Sequence, residues 1–301
     1  MDYYTILKLV WGVILCVLLI GLGLMVGMDM GVGTLLRFVG RNDGERRTAL
    51  NIIGPHWDGN QVWFILGGGA IFAAFPTLYG TSFSVFYVVM ILLLFSMILR
   101  PVAFEYRSKA DSKTWRSSWD VVFLISGFLP MFVYGAAFGN ILQGVGYHFD
   151  WTGQYYQDES FLSYLINPFA ILCGLMAVSL SVYQGGTMLA LRAEDPIYSR
   201  AKKYASAAGV VAAGLFIIGG IRILSLPGFV LTAPVDTAMP ANPLHGQHVD
   251  IVSAGWLTNY PAHPILWVFR LLRIDRMTTG SLALRPSECA LASSLRARAR
   301  T

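Results

Sequence analysis

The sequence predicts an all-α protein, a polytopic bundle of transmembrane helices with about seven spans. Three observations lead there. Of 301 residues, 55% are hydrophobic and 13% are charged, where a soluble domain carries about a quarter charged residues. The charge-poor runs approach the roughly 20 residues that a helix needs to cross about 30 Å of hydrocarbon. Those runs also lack alternation at period two, which argues against a membrane barrel.

The spans are expected at Thr5–Met28, Trp57–Leu78, Ser82–Leu99, Ser118–Leu142, Phe161–Leu191 and Tyr204–Leu226, with a last one starting near Pro264. The first opens on "MDYYTILKLV" without the basic start of a cleavable signal, so it reads as a retained span. Pro101 is expected to break the third span. The fifth run is too long for one straight span, and Asn167-Pro168 marks its expected helical start.

Lys and Arg alternate between the connections. Arg37, Arg41, Arg46 and Arg47 follow the first span. Arg100, Arg107, Lys109, Lys113 and Arg116 follow the third. Arg192, Arg200, Lys202 and Lys203 follow the fifth, while the intervening connections hold none. The positive-inside rule then places 29–56, 100–117 and 192–203 in the cytoplasm and the N-terminus outside. The net charge of +5 therefore reads as topology signal and contact with membrane lipid, not nucleic-acid binding. Cys16, Cys173 and Cys289 are scattered, without the spacing of a disulfide framework or a thiolate metal site.

The polar residues near the lipid gather on one side. "GLGLMVGMDMGVG" spaces Gly23, Gly27 and Gly31 along one helical face, as close helix packing needs, and sets Asp29 between two of them. "PHWDGNQVW" concentrates His56, Trp57, Asp58, Asn60 and Gln61 at the mouth of the second span. Two readings stay open there. One is an interfacial anchor, with a tryptophan at headgroup level among cap residues. The other is a proton inlet, a carboxylate beside amides and a histidine. Gly67–Gly69 reads as helix packing. Arg100, Arg107 and Lys109 are expected to meet lipid phosphates or partner charge, with Glu105 in a surface salt bridge among them. His245 and His248 form a bare HxxH, weak as a metal site. No haem-ligand pattern, phosphate loop or nucleophile elbow is legible.

The stretches "GMDMGVG", "GRNDGERR", "PHWDGNQVW", "GGAIFAAFP", "FYVVMILLLFSMILRPVAFEYRSK", "FGNILQGV", "LINPFAILCGL" and "TNYPAHPILW" together resemble subunit II of the cytochrome bd-type quinol oxidases. The resemblance extends over about residues 1–267. It implies a haem-free subunit in a bacterial inner membrane, paired with a subunit I that carries haems b and d. The complex would oxidise quinol and reduce dioxygen to water. The resemblance also admits a structural quinone and a small single-span accessory subunit. It places Asp58 and Glu105 on a proton route from the cytoplasm, with Asp29 in the same polar layer; the inlet reading of the residues themselves adds His56 and Trp57. Glu105 stands where the family often has Asp. Trp63 falls where some members line an oxygen path.

Full-length family members have nine spans. Here Arg270, Arg273, Asp275 and Arg276 interrupt the seventh. The expected division is a membrane bundle over 1–269 and a divergent basic tail over 270–301, arising by truncation or a shifted reading frame. The competing readings are a non-conducting assembly scaffold and a secondary transporter. The latter is disfavoured because the first acidic cluster sits at one surface and no internal repeat is visible.

Overall fold

The computed structural model describes residues 3–158, 164, 166–232, 249–253 and 255–257. The seventh span, the tail, His245, His248, His263 and Cys289 lie outside the described residues. The elements run α1 Tyr3–Val39, α2 Asp43–Ile53, α3 Trp57–Ala74, α4 Pro76–Val85, α5 Tyr87–Tyr106 and α6 Lys113–Gln143. There follow the hairpin β1 Tyr147–Phe149 and β2 Tyr155–Gln157, then α7 Pro168–Arg192 and α8 Ile197–Ile223. A second hairpin, β3 Gly228–Leu231 and β4 Val249–Val252, ends the described fold with a short 3-10 turn at Gly255–Leu257. Among the described residues, α1, α5, α6, α7 and α8 are long and apolar enough to cross a membrane. This is a multi-pass membrane helix bundle.

Two expected boundaries move for identifiable reasons. The predicted second span is two helices, broken at Phe75 (φ −134°, ψ 63°) with Pro76 opening the next. Proline lacks the N–H that would continue the ladder and clashes with the preceding turn. The α3 half alone keeps the polar "HWDGNQ" start, so it falls below the apolarity of the other spans. Pro101, by contrast, does not end its helix, since α5 continues to Tyr106. Packing against neighbouring helices compensates a proline in a membrane helix, and Pro130 sits inside α6 in the same way.

Local chemistry sets the remaining ends. Asn42 caps α2 by accepting from Glu45 N at 2.8 Å, while Glu45 Oε2 accepts from Arg41 N at 2.7 Å. The Asn42 bond satisfies one orphan donor of the helix start, and the Glu45 bond holds the residue just before the cap. Asn167 caps α7 by accepting from Phe169 N at 3.0 Å, with Pro168 as its first residue, as predicted.

Helices α1, α6, α7 and α8 form the centre of the bundle. Close approach is enforced where α1 crosses α7. A Cβ on Gly31 would lie 1.9 Å from Ser181 O, and one on Gly185 would lie 2.4 Å from Gly31 C. Ser181 Oγ donates across the crossing to Gly27 O at 2.8 Å. The deepest apolar cluster joins Val32, Leu36, Ile53, Phe123, Leu189 and Ala201 from five helices near the basic end of the bundle. Both hairpins lie at the opposite end. Of the glycine triplet, Gly67 packs against Leu22, and Gly68 and Gly69 meet nothing within 4 Å.

Candidate functional site

The three basic connections meet at one end. Asp120, in the second turn of α6, has a side chain with no exposure and is gripped from two elements. Arg107 Nε donates to Asp120 Oδ1 at 2.7 Å and Arg46 Nη1 donates to Oδ2 at 2.8 Å. Arg107 also reaches Asp43 at 2.8 Å, Arg116 reaches the same carboxylate at 3.1 Å, and Arg200 binds Glu45 at 2.6 Å. The network therefore ties α2 to the ends of α5, α6 and α8. Burial works against the Arg107 charge, but Asp120 and Asp43 outweigh it and hold Arg107 above its ordinary range. Burial likewise pushes Asp43 up, yet Arg107, then Arg116 and Arg47, hold it below the usual carboxylate range. The Arg41 amide, then Arg200, lower Glu45 in the same way, against a smaller effect of burial.

This corrects one expectation. Arg107 does not meet lipid phosphate; its side chain is 2% exposed and spent on internal carboxylates. Arg100 is also internal, 1% exposed, with Nη1 donating to Met30 Sδ at 3.0 Å. Glu105 is exposed and forms no ion pair among the described residues, so the expected surface salt bridge is absent there. A hydropathy argument places any arginine beside a span at the headgroups. Only a buried acid such as Asp120, alone among apolar neighbours in "SSWDVVFLI", signals that some of them turn inward.

Next to this network lies the polar layer. Pro55 sits in the turn before α3, and His56 is the N-cap. Arg192 Nη1 lies 3.1 Å from His56 Nε2. Arginine can only donate, so the imidazole accepts there through Nε2. Trp57 stacks on Phe104, with ring centroids 4.8 Å apart and planes 10° from parallel. Phe104 in turn meets Phe123 edge-on at 4.8 Å. The stack draws the start of α3 against the end of α5, so the exposed acids Asp58 and Glu105 belong to the same end of the bundle.

Asp29 lies deeper. The first span was expected to end near Met28, leaving Asp29 at its edge. Instead α1 continues to Val39 and Asp29 is 1% exposed inside the bundle. Asn60 Nδ2 donates to Asp29 Oδ2 at 2.8 Å, while Oδ1 has no hydrogen-bond partner among the described residues. Gln61 Nε2, Gln184 Oε1 and Arg100 Nη2 are also buried without partners among the described residues. The structure thus brings Asp29, Asn60 and His56 together, with Trp57 beside them and Asp58 at the surface of the same helix. Trp63 is partly buried against Leu22, Val26 and Met30. Its ring fills the space a Cβ would need on Gly21, 2.4 Å away, so it wedges α3 onto α1.

A sequence profile described as "Cytochrome bd terminal oxidase subunit II" matches residues 7–284, running into the segment expected to be a divergent tail. The chain is similar to the "Probable cytochrome oxidase subunit 2" of Haemophilus influenzae, 40% identical over 289 residues, covering 96% of this chain and 76% of that protein. It is similar to the "Cytochrome bd-I ubiquinol oxidase subunit 2" of Escherichia coli K12, 43% identical over 272 residues, 90% of this chain and 71% of that protein. The "Cytochrome bd ubiquinol oxidase subunit 2" of Bacillus subtilis is 37% identical over 195 residues, 65% of this chain and 56% of that protein.

Proposed function

This chain belongs to the cytochrome bd terminal oxidase subunit II family, and from that premise we propose that it delivers cytoplasmic protons within a quinol-oxidising, dioxygen-reducing complex. As a terminal oxidase subunit it has a subunit I as its partner. In the proposed arrangement that partner carries haems b and d in a bacterial inner membrane, and the N-terminus of this chain faces the periplasm. The haems would supply the oxygen chemistry. The two described histidines do not suit a haem in the bilayer: His56 accepts from Arg192 and His148 pairs with Asp158 at 2.6 Å, both outside the spans. The bundle within 1–269 carries the route; a structural quinone remains compatible with it.

The observation that carries this reading is the polar run on α3. Asp58 is exposed, and two residues later Asn60 donates to the fully buried Asp29. The first turn of one helix thus carries a surface carboxylate and an amide that reaches an interior one. Charge inside a bilayer costs several kcal/mol when isolated. Carboxylates and amides spaced a few ångströms apart lower that cost for a proton in transit. Glu105, His56 and Trp57 belong to the same end: Glu105 as a second exposed acid, His56 as an imidazole that accepts a hydrogen bond from Arg192, Trp57 as the stack that holds α3 against α5. Trp63 packs on Gly21, and an oxygen path past that ring remains a proposal of the same kind.

The test is Asp58→Asn in the assembled oxidase. Turnover with quinol should fall severalfold while the haem spectra stay nearly intact. Unchanged oxygen uptake would remove Asp58 from the route and leave this chain a scaffold.

A further inference from the structure

We infer that Arg100 is the positioning residue that holds Asp29 as a carboxylate, so that the two residues form one net-neutral charge unit inside the bundle. Arg100 projects from α5 and is 1% exposed. Its Nη1 donates to Met30 Sδ at 3.0 Å, the residue following Asp29 on α1, and its Nη2 has no partner among the described residues. Asp29, equally buried, accepts from Asn60 on Oδ2 and has no partner on Oδ1 among the described residues. A buried donor and a buried acceptor are thus both unspent in one layer. The two charges act on each other without direct contact between the side chains.

The charge assignment follows from chemistry. A guanidinium in a protein stays protonated. Unlike an acid, it cannot escape desolvation by becoming neutral, so it needs a counter-anion. Among the described residues Asp120 is the other fully buried acid, and Arg107 and Arg46 already match it. Asp29 is the acid whose charge reaches Arg100. The other groups beside Asp29 are the Asn60 amide and the His56 imidazole of α3, with the Gln184 amide of α7 against the neighbouring Gly27. None of these can supply a negative charge. Neutrality of the layer therefore requires Asp29 to be ionised. An ionised Asp29 is also an acceptor for a proton arriving from Asp58. That acceptor role rests on the inlet reading, whereas the charge state does not.

Infrared difference spectroscopy on the assembled oxidase tests the inference. The samples are the parent, Asp29→Asn, Arg100→Gln, Arg100→Lys and the Asp29→Asn/Arg100→Gln double variant. Replacing Asp29 should remove carboxylate stretches and no protonated-carboxyl stretch. Arg100→Gln should create a protonated-carboxyl stretch that the double variant lacks, and Arg100→Lys should not create it. The double variant, in which the layer stays neutral, should recover assembly lost in either single variant and serves as the reference spectrum if they fail to assemble. The inference is overturned if the parent shows a protonated-carboxyl stretch that disappears with Asp29. It is equally overturned if the double variant assembles no better than the worse single one. Neither readout depends on turnover, so failure of the inlet reading in Asp58→Asn is distinguishable.

Discussion

Gly31→Ala tests the crossing on which the bundle is built. The added Cβ would lie 1.9 Å from Ser181 O, 2.6 Å from Ser181 C and 3.0 Å from Gly185 N, where ordinary contact begins at 3.4 Å. The local separation of α1 and α7 must grow by the difference, 3.4 − 1.9 = 1.5 Å. The obstruction is backbone on a second helix, so no side chain can rotate aside. Overpacking of this kind costs about 1–3 kcal/mol, here toward the upper end. Moving the helices apart also weakens the Ser181 Oγ to Gly27 O hydrogen bond, worth roughly 0.6–1 kcal/mol in a membrane bundle. The expected loss is about 3–4 kcal/mol. Gly23 shares the four-residue spacing, yet a Cβ there meets nothing within 4 Å. Gly23→Ala should be neutral or stabilising by up to about 1 kcal/mol through helix propensity. Thermal unfolding of the purified complex, followed by loss of haem absorbance and by size-exclusion profile, gives both numbers. Equal midpoints for the two variants would refute the assignment of the crossing.

Three further perturbations probe the basic end. Asp120→Asn strips a fully buried acid from Arg107 and Arg46; breaking a buried pair from one side costs about 3–5 kcal/mol, to be read as a lower unfolding midpoint with loss of assembled complex. Asp43 and Glu45 titrate below their ordinary values in the folded state. Their contribution is therefore present above the unfolded carboxylate pKa of about 4 and is lost as pH falls through the lower folded values. Unfolding midpoints should drop steeply below about pH 4, and less steeply in the Asp43→Asn/Glu45→Gln double variant. Trp57→Ala removes the stack on Phe104, worth roughly 0.5–1.5 kcal/mol beyond lost burial. Its signature is faster protease cleavage near residues 54–58, while Trp57→Phe should largely restore the parent rate.

Much of the architecture is legible in single residues and run lengths. Asn167-Pro168 marks the start of α7 because an asparagine cap and a proline at the first helical position act locally. The alternating Lys and Arg segments do converge on one end of the bundle. Pro76 splits the second predicted span, whereas Pro101 leaves its helix whole. Both prolines obey the same local rule, so the residue type alone does not fix whether a helix breaks there. The glycine series shows the same limit: Gly23, Gly27 and Gly31 share a period, yet they meet open space, the Gln184 side chain and the Ser181 backbone respectively.

By itself the sequence determined that this chain is a membrane helix bundle, which connections share a side, and that Asp29 and the "HWDGNQ" mouth are polar groups bordering apolar runs. Those properties follow from how long an apolar run is and where the charges interrupt it, and each is decided one segment at a time. Only the tertiary structure decided which charges pair: that Arg100 and Arg107 turn inward, that Asp120 is matched, and that Asn60 reaches Asp29. Pairing depends on the azimuth and crossing of helices distant in sequence, and hydropathy carries no information about either.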